Sequence, residues 1–161
     1  MQTDVKSIIE TAIAEEKKAN RFYLNLASQM KEKGARMKFE IMADLELKHY
    51  ESLLTYYEGK FGQRPAIKEV EVFTIVRPET PSRTASFEEA IKIIMDTEQR
   101  AYEFYKKASE RSTDPKDKKI FKTLAKMEQA HFEQFRTEYN YATENVIRFS
   151  SEDIPWMMEV G

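Results

Sequence analysis

At 161 residues and a formal charge of -2, the chain has the size of one domain with a substantial core, and its acid and base nearly cancel. That balance, with no basic run interleaved with aromatics, speaks against a nucleic-acid surface. The lack of cysteine excludes disulfides, thiol catalysis and sulfur-ligated zinc or iron within these residues, and no apolar run approaches the roughly 18 residues of a membrane span, so a cytoplasmic protein without a membrane segment is expected.

Charged residues make up 34% of the chain while glycine and proline are scarce, a mix that favours helices. The first helix is expected over about residues 4–31, because Ile9, Ile13, Glu16, Asn20, Tyr23, Ala27 and Met30 recur at steps of four and three. The segment "KEKGAR" is expected to break it at Gly34. A second helix then runs to about residue 58, its face made of Phe39, Met42, Glu46, His49, Leu53 and Tyr56. These two helices form a first hairpin, about residues 4–58.

Residues 60–85 hold three of the five prolines and the alternating run "EVEVFTIV". That length exceeds a tight connection between neighbouring helices, and it reads as a crossover with an extended piece. The third helix opens on a capping box, Ser86 with Glu89, and buries Phe87, Ile91, Ile94, Glu98, Ala101 and Tyr105. "RSTDP" separates it from the fourth, with Asp114 as N-cap and Pro115 at the first helical position. The fourth stripe reads Phe121, Leu124, Glu128, His131 and Phe135. The second hairpin therefore covers about residues 86–142, and a tail, 143–161, carries Trp156. Short loop, long crossover, short loop describes an all-α, ferritin-like antiparallel four-helix bundle.

The two hairpins are copies of each other. A shift of 82 residues places Ile9 on Ile91, Glu16 on Glu98, Ala19 on Ala101, Phe22 on Phe104 and Tyr23 on Tyr105. It also places Phe39 on Phe121, Ala43 on Ala125, Glu46 on Glu128 and His49 on His131, with no gap. The only two histidines of the chain thus sit in two Glu-x-x-His pairs, each on one helical face.

Glu16, Glu46, Glu98 and Glu128 lie in the middle of apolar stripes that contain no lysine or arginine. An unpartnered carboxylate in a bundle core costs several kcal/mol. Two divalent ions would balance four such carboxylates. Carboxylate and imidazole donors without sulfur suit iron or manganese, with zinc as a further occupant. Tyr23 and Tyr105 follow the first and third glutamates by seven residues, about 10 Å along each helix. From there each can reach a ligand on an antiparallel neighbour as a supporting hydrogen-bond donor; ordinary aromatic packing is the plain alternative. Tyr50 and Tyr102 are further candidates of that kind.

One glutamate from each of two helices, plus Glu-x-x-His from each of the other two, is the ligand pattern of ferritin-like di-iron carboxylate proteins. Within that group the segments "EKKANRFY" and "EQRAYEFY" resemble the first and third helices of rubrerythrins, and the resemblance spans about residues 5–140. It implies that Glu46 and Glu128 bridge two iron ions, that Glu16 and Glu98 are terminal ligands, and that His49 and His131 take one metal each. It also implies reduction of hydrogen peroxide to water, with ferroxidase or iron-handling work, on dioxygen as oxidant, as the alternative. A non-enzymatic bundle stabilised by metal is a third possibility.

Two features depart from the family pattern. Rubrerythrins usually carry a rubredoxin domain that delivers electrons, and this cysteine-free sequence cannot form one, so an external electron-donor protein is expected. Many also carry an additional glutamate one turn before the third-helix ligand, where this chain has Met95. Asp96 is adjacent but falls on another face. A homodimer is expected, by analogy and from the apolar "EVEVFTIV" crossover and Trp156 tail.

Overall fold

The structure, a computed structural model, describes residues 5–66 and 87–144. Four helices run through them: α1 (Val5–Gln29), α2 (Lys33–Phe61), α3 (Phe87–Arg111) and α4 (Pro115–Glu144). No strand occurs among the described residues. The "EVEVFTIV" run, Ser86 and the Trp156 tail lie outside them.

Local chemistry explains the helix ends. Asp114 caps α4, its Oδ1 accepting from the Lys116 amide at 2.8 Å, and Pro115 follows at the first helical position. Helix α2 ends on Gly62, whose left-handed φ of 66° suits glycine and lets its amide donate to the Glu58 carbonyl at 2.9 Å. This is three residues later than the end expected near 58. The break between α1 and α2 also differs from expectation. It falls before Lys33, and Gly34 is a buried residue in the first turn of α2. A glycine there is tolerated because the first turn has few intrahelical hydrogen bonds to weaken.

Side-chain contacts give the topology. Tyr23 of α1 reaches Glu98 of α3, and Tyr105 of α3 reaches Glu16 of α1, so these helices are antiparallel. Lys38 at the start of α2 meets Glu138 near the end of α4, while Tyr56 and Lys60 near the end of α2 meet Asp117 at the start of α4. These two helices are antiparallel as well. Phe87, the first residue of α3, stands 6.1 Å from Phe39 in the early part of α2. The end of α2 and the start of α3 are therefore far apart, since 22 residues, about 33 Å of helix, separate Phe39 from Phe61. This is the ferritin-like arrangement.

Two apolar clusters fill the ends of the bundle. One gathers Phe22, Leu26, Phe39, Met42, Ile91, Ile94 and Phe135; the other gathers Ile9, Ile13, Leu53, Tyr57, Phe121 and Leu124. Burying each such large side chain contributes about 1.5–3 kcal/mol. That contribution offsets a polar layer held between them, which contains Glu16, Glu46, His49, Glu98, Glu128 and His131.

The core does contain a lysine, contrary to the reading of the stripes as free of cations. Lys38 is 1% exposed, in contact with the Glu138 carboxylate and 4.7 Å from the centre of the Phe135 ring. Burial pulls its ammonium well below the ordinary range, and Glu138 favours the charged form. Eight residues, about 12 Å of helix, separate it from the level of Glu46, so it does not neutralise the central layer. Lys38→Met should lower unfolding free energy by about 3–5 kcal/mol, since Glu138 is left buried beside an apolar chain. The double change Lys38→Met with Glu138→Leu should recover most of it. Denaturant midpoints of the three proteins measure this, and equal midpoints for Lys38→Met and its parent would show no coupling.

Candidate metal centre

The polar layer is built from the middle of each helix. Glu16 comes from α1, Glu46 and His49 from α2, Glu98 from α3, and Glu128 and His131 from α4. All six are buried. They form two overlapping sets: Glu16, Glu46, His49 and Glu128, then Glu46, Glu98, Glu128 and His131, the donor atoms of each set lying within 4.8 Å of one another. Glu46 and Glu128 belong to both. His49 Nδ1 stands 3.6 Å from Glu16, 3.3 Å from Glu46 and 3.1 Å from Glu128. His131 Nδ1 stands 3.7 Å from Glu46, 3.5 Å from Glu98 and 3.5 Å from Glu128. The two imidazole rings are 6.0 Å apart and nearly parallel.

Five buried atoms in this layer lack a hydrogen-bond partner: Glu46 Oε1, Glu98 Oε2, Glu128 Oε1, His49 Nδ1 and His131 Nδ1. Such orphaned atoms are rare in a folded core. They come from three helices, α2, α3 and α4, and oxygen and imidazole nitrogen are donors that a divalent cation of the first transition row accepts. The residues therefore fit a pair of metal ions.

Proton affinities follow the same division of roles. Burial raises Glu46 well above the ordinary carboxylate range, with repulsion from Glu128 and Glu16 adding to it. Burial likewise raises Glu128, with Glu98 as the next cause. Burial would also raise Glu16 and Glu98, but the close approach of Glu46 and Glu128, the nearby imidazoles and the tyrosine hydroxyls bring both below the ordinary range. Burial disfavours charge on His49 and His131, yet the surrounding carboxylates raise both. The layer thus holds protons more tightly on Glu46, Glu128, His49 and His131 than free side chains would, and less tightly on Glu16 and Glu98.

Tyr23 donates its hydroxyl to Glu98 Oε1, and Tyr105 donates to Glu16 Oε1. The pair is related by the sequence repeat, and each bond crosses from one hairpin to the other. Burial, then the adjacent carboxylates, push both phenols well above their ordinary range, so they remain donors. Tyr50 and Tyr102 are half-buried against the apolar cluster and make no hydrogen bond to these glutamates. Asn20 donates to the Ala43 carbonyl at 2.7 Å, joining α1 to α2. Tyr23→Phe should remove about 1–3 kcal/mol of stability by leaving a buried Glu98 oxygen without its donor. Metal content should be unchanged. Denaturation of the metal-free variant measures the loss, and an unaltered midpoint would reduce Tyr23 to packing.

Glu15 and Thr97 are buried beside the centre, and the stripes analysed from sequence passed over both. Ala12, Glu15, Ala19, Phe22 and Leu26 form a second face of α1 at steps of three and four, a signal that could have found Glu15. Met95 is half-buried and packs against the apolar cluster, while the exposed Asp96 pairs with Arg100 at 3.3 Å.

The family model for rubrerythrin matches residues 7–139. Among solved structures, a hypothetical protein from Pyrococcus furiosus is similar, with a TM-score of 0.73 and 26% identity over 88% of this chain and 92% of that one. No curated protein matches the sequence.

Proposed function

Because this chain belongs to the rubrerythrin family, we propose that it is a di-iron oxidoreductase that reduces hydrogen peroxide to water with electrons from a separate redox partner. The observation that carries this reading is the pair of overlapping sites, each three glutamates and a histidine, which share Glu46 and Glu128. Glu46 and Glu128 would hold both iron ions, with Glu16 and His49 serving one and Glu98 and His131 the other. Two iron ions held by these six residues would supply the two electrons that, with two protons, convert one hydrogen peroxide to two waters, and the redox partner would restore them.

The protein's own groups have separate tasks. Tyr23 and Tyr105 fix the terminal carboxylates by hydrogen bonds, and a fixed ligand needs less reorganisation when the metal changes charge. The apolar clusters above and below the layer exclude water and confine the reaction to small molecules. The 161 residues contain no cysteine to hold a sulfur-ligated iron, so the electrons are assigned to another redox centre.

Timing the oxidation of anaerobically loaded ferrous protein by hydrogen peroxide and by dioxygen tests the reading. Peroxide should act much faster, with iron retained after turnover. Comparable or faster oxidation by dioxygen, with iron released, would instead indicate ferroxidase or iron-handling work.

A further inference from the structure

The first half of α4 carries five lysines, Lys116, Lys118, Lys119, Lys122 and Lys126. The one acid among them, Asp117, is 1% exposed and paired with Lys60 at 2.9 Å. Lys116 sits beside the capping Asp114. The other four lysines are exposed, and among the described residues none of them forms an ion pair. Lys118, Lys122 and Lys126 recur at steps of four and make one ridge along the outer side of the helix, with Lys119 beside it. Met127, 44% exposed, closes the ridge. The whole chain carries only -2, so the ridge is a local excess of positive charge.

Neither packing nor helix stability accounts for it. Under the 82-residue shift, Lys118, Lys119, Lys122 and Lys126 fall on Arg36, Met37, Glu40 and Asp44 of α2, which are exposed as well. The same bundle position is thus built once with four bases, and once with one base, two acids and a methionine. Like charges at steps of four repel, and cations near a helix N-terminus oppose its dipole. The α4 ridge is therefore the less stable of the two choices.

The ridge also ends over the metal centre. Glu128 follows Lys126 by two residues, about 3 Å along the axis, and is buried where Lys126 is exposed. At that point only the thickness of one helix, about 10 Å, separates the ridge from the polar layer.

We propose that the ridge of Lys118, Lys122 and Lys126, with Lys119 and Met127, is the docking surface for a small acidic electron-carrier protein. The inference rests on the peroxide reading above, which assigns the electrons to another redox centre, and adds where that centre docks. The lysines steer an acidic surface by long-range attraction, and Met127 offers it an apolar contact at the end nearest the metals. Encounters between redox proteins use small interfaces, and two in succession deliver the two electrons that one peroxide consumes.

Two acidic one-electron carriers, a rubredoxin and a flavodoxin, are the probes. Each is titrated into the iron-loaded chain with both proteins oxidised, so that binding is read without turnover. One variant combines Lys118→Gln, Lys122→Gln and Lys126→Gln. A control combines Lys31→Gln, Lys33→Gln and Arg36→Gln, the same loss of charge at the other end of the bundle. At about 0.1 M salt, charges more than about 10 Å apart are largely screened, so the control should bind within twofold of the parent. The ridge variant should bind at least one carrier about tenfold more weakly, the sum of three exposed charge contacts. Raising the salt to about 1 M should abolish the difference. The ridge variant should unfold at or above the parent's midpoint, because it loses like-charge repulsion, and this separates lost docking from a lost fold. Equal affinities of ridge variant and control for both carriers, or no binding of either carrier by the parent, would overturn the docking surface. Tighter ridge-dependent binding to a DNA duplex than to either carrier would overturn it too, by giving the ridge another partner. Failure of the peroxide reading shows separately, in the oxidation of the ferrous protein, which no carrier enters.

Discussion

Glu128→Gln is expected to leave the chain with almost no bound metal, whereas Glu16→Gln should leave it with one ion of two. The difference follows from geometry: Glu128 supplies an atom to both donor sets, and Glu16 to one. Glutamine keeps the shape but cannot bridge two cations with a shared negative charge. His49→Ala should behave like Glu16→Gln, because His49 also serves one set. The metal-free form of Glu128→Gln should unfold at the same denaturant concentration as its parent near neutral pH. In the parent, burial and Glu98 favour the protonated form of that carboxyl, and an amide resembles a neutral acid. Metal analysis after desalting reads the stoichiometry directly. Equal loss from Glu128→Gln and Glu16→Gln would remove the bridging role.

Metal removal should lower the thermal midpoint by roughly 15–30 °C at neutral pH. Each ion held at a thousand times its Kd adds about 4 kcal/mol, and for a chain of this length 1 kcal/mol moves the midpoint by about 2–4 °C. The gap should widen as pH rises from 6 to 9. Glu46 and Glu128 have folded values above their unfolded ones, so the metal-free fold loses stability as pH rises past the ordinary carboxylate range. His49 and His131 are raised as well. Their contribution is complete below the unfolded value of 6.5 and declines as pH climbs toward the folded one. Glu16 and Glu98 are lowered, and their stabilising contribution is already complete above 4.5. Every group of the central layer that still titrates above pH 6.5 therefore weakens the metal-free protein. Metal displaces those protons, and the loaded protein should show a flatter profile. Calorimetry of both forms across that range measures it, and a gap that narrows with pH would contradict the assigned protonation.

The centre was legible because it breaks a rule twice in the same register. A glutamate inside an apolar stripe conflicts with its surroundings, and the repeat turned one such conflict into a matched set at Glu16 and Glu98, then Glu46 and Glu128. Helical spacing also carried the reach of Tyr23 and Tyr105 across to the opposite hairpin. Lys38 and Glu138 were less visible, although both continue their stripes: Lys38 precedes Met42 by four, and Glu138 follows Phe135 by three. A long charged side chain at a helix end ordinarily extends to solvent, and only packing against Phe87 and Phe135 shows that Lys38 does not. Glu15 was hidden by Glu16 beside it. Two adjacent acids read as one inward and one outward, and the close passage of α1 and α3 at Ala19 and Ala101 buries both. The late placement of the first helix break followed from treating Gly34 as a stop signal; its backbone is not left-handed, and it functions as an ordinary first-turn residue.

An anaerobic titration of the ferrous-loaded chain with hydrogen peroxide tests the central claim most directly, because it counts metals and electrons together. Two irons per chain should be oxidised by one equivalent of peroxide, with a sharp end point and both irons still bound after desalting. An end point at half an equivalent would mean a single iron, and iron lost on oxidation would mean the layer passes metal on; either contradicts a resident two-iron peroxide-reducing centre.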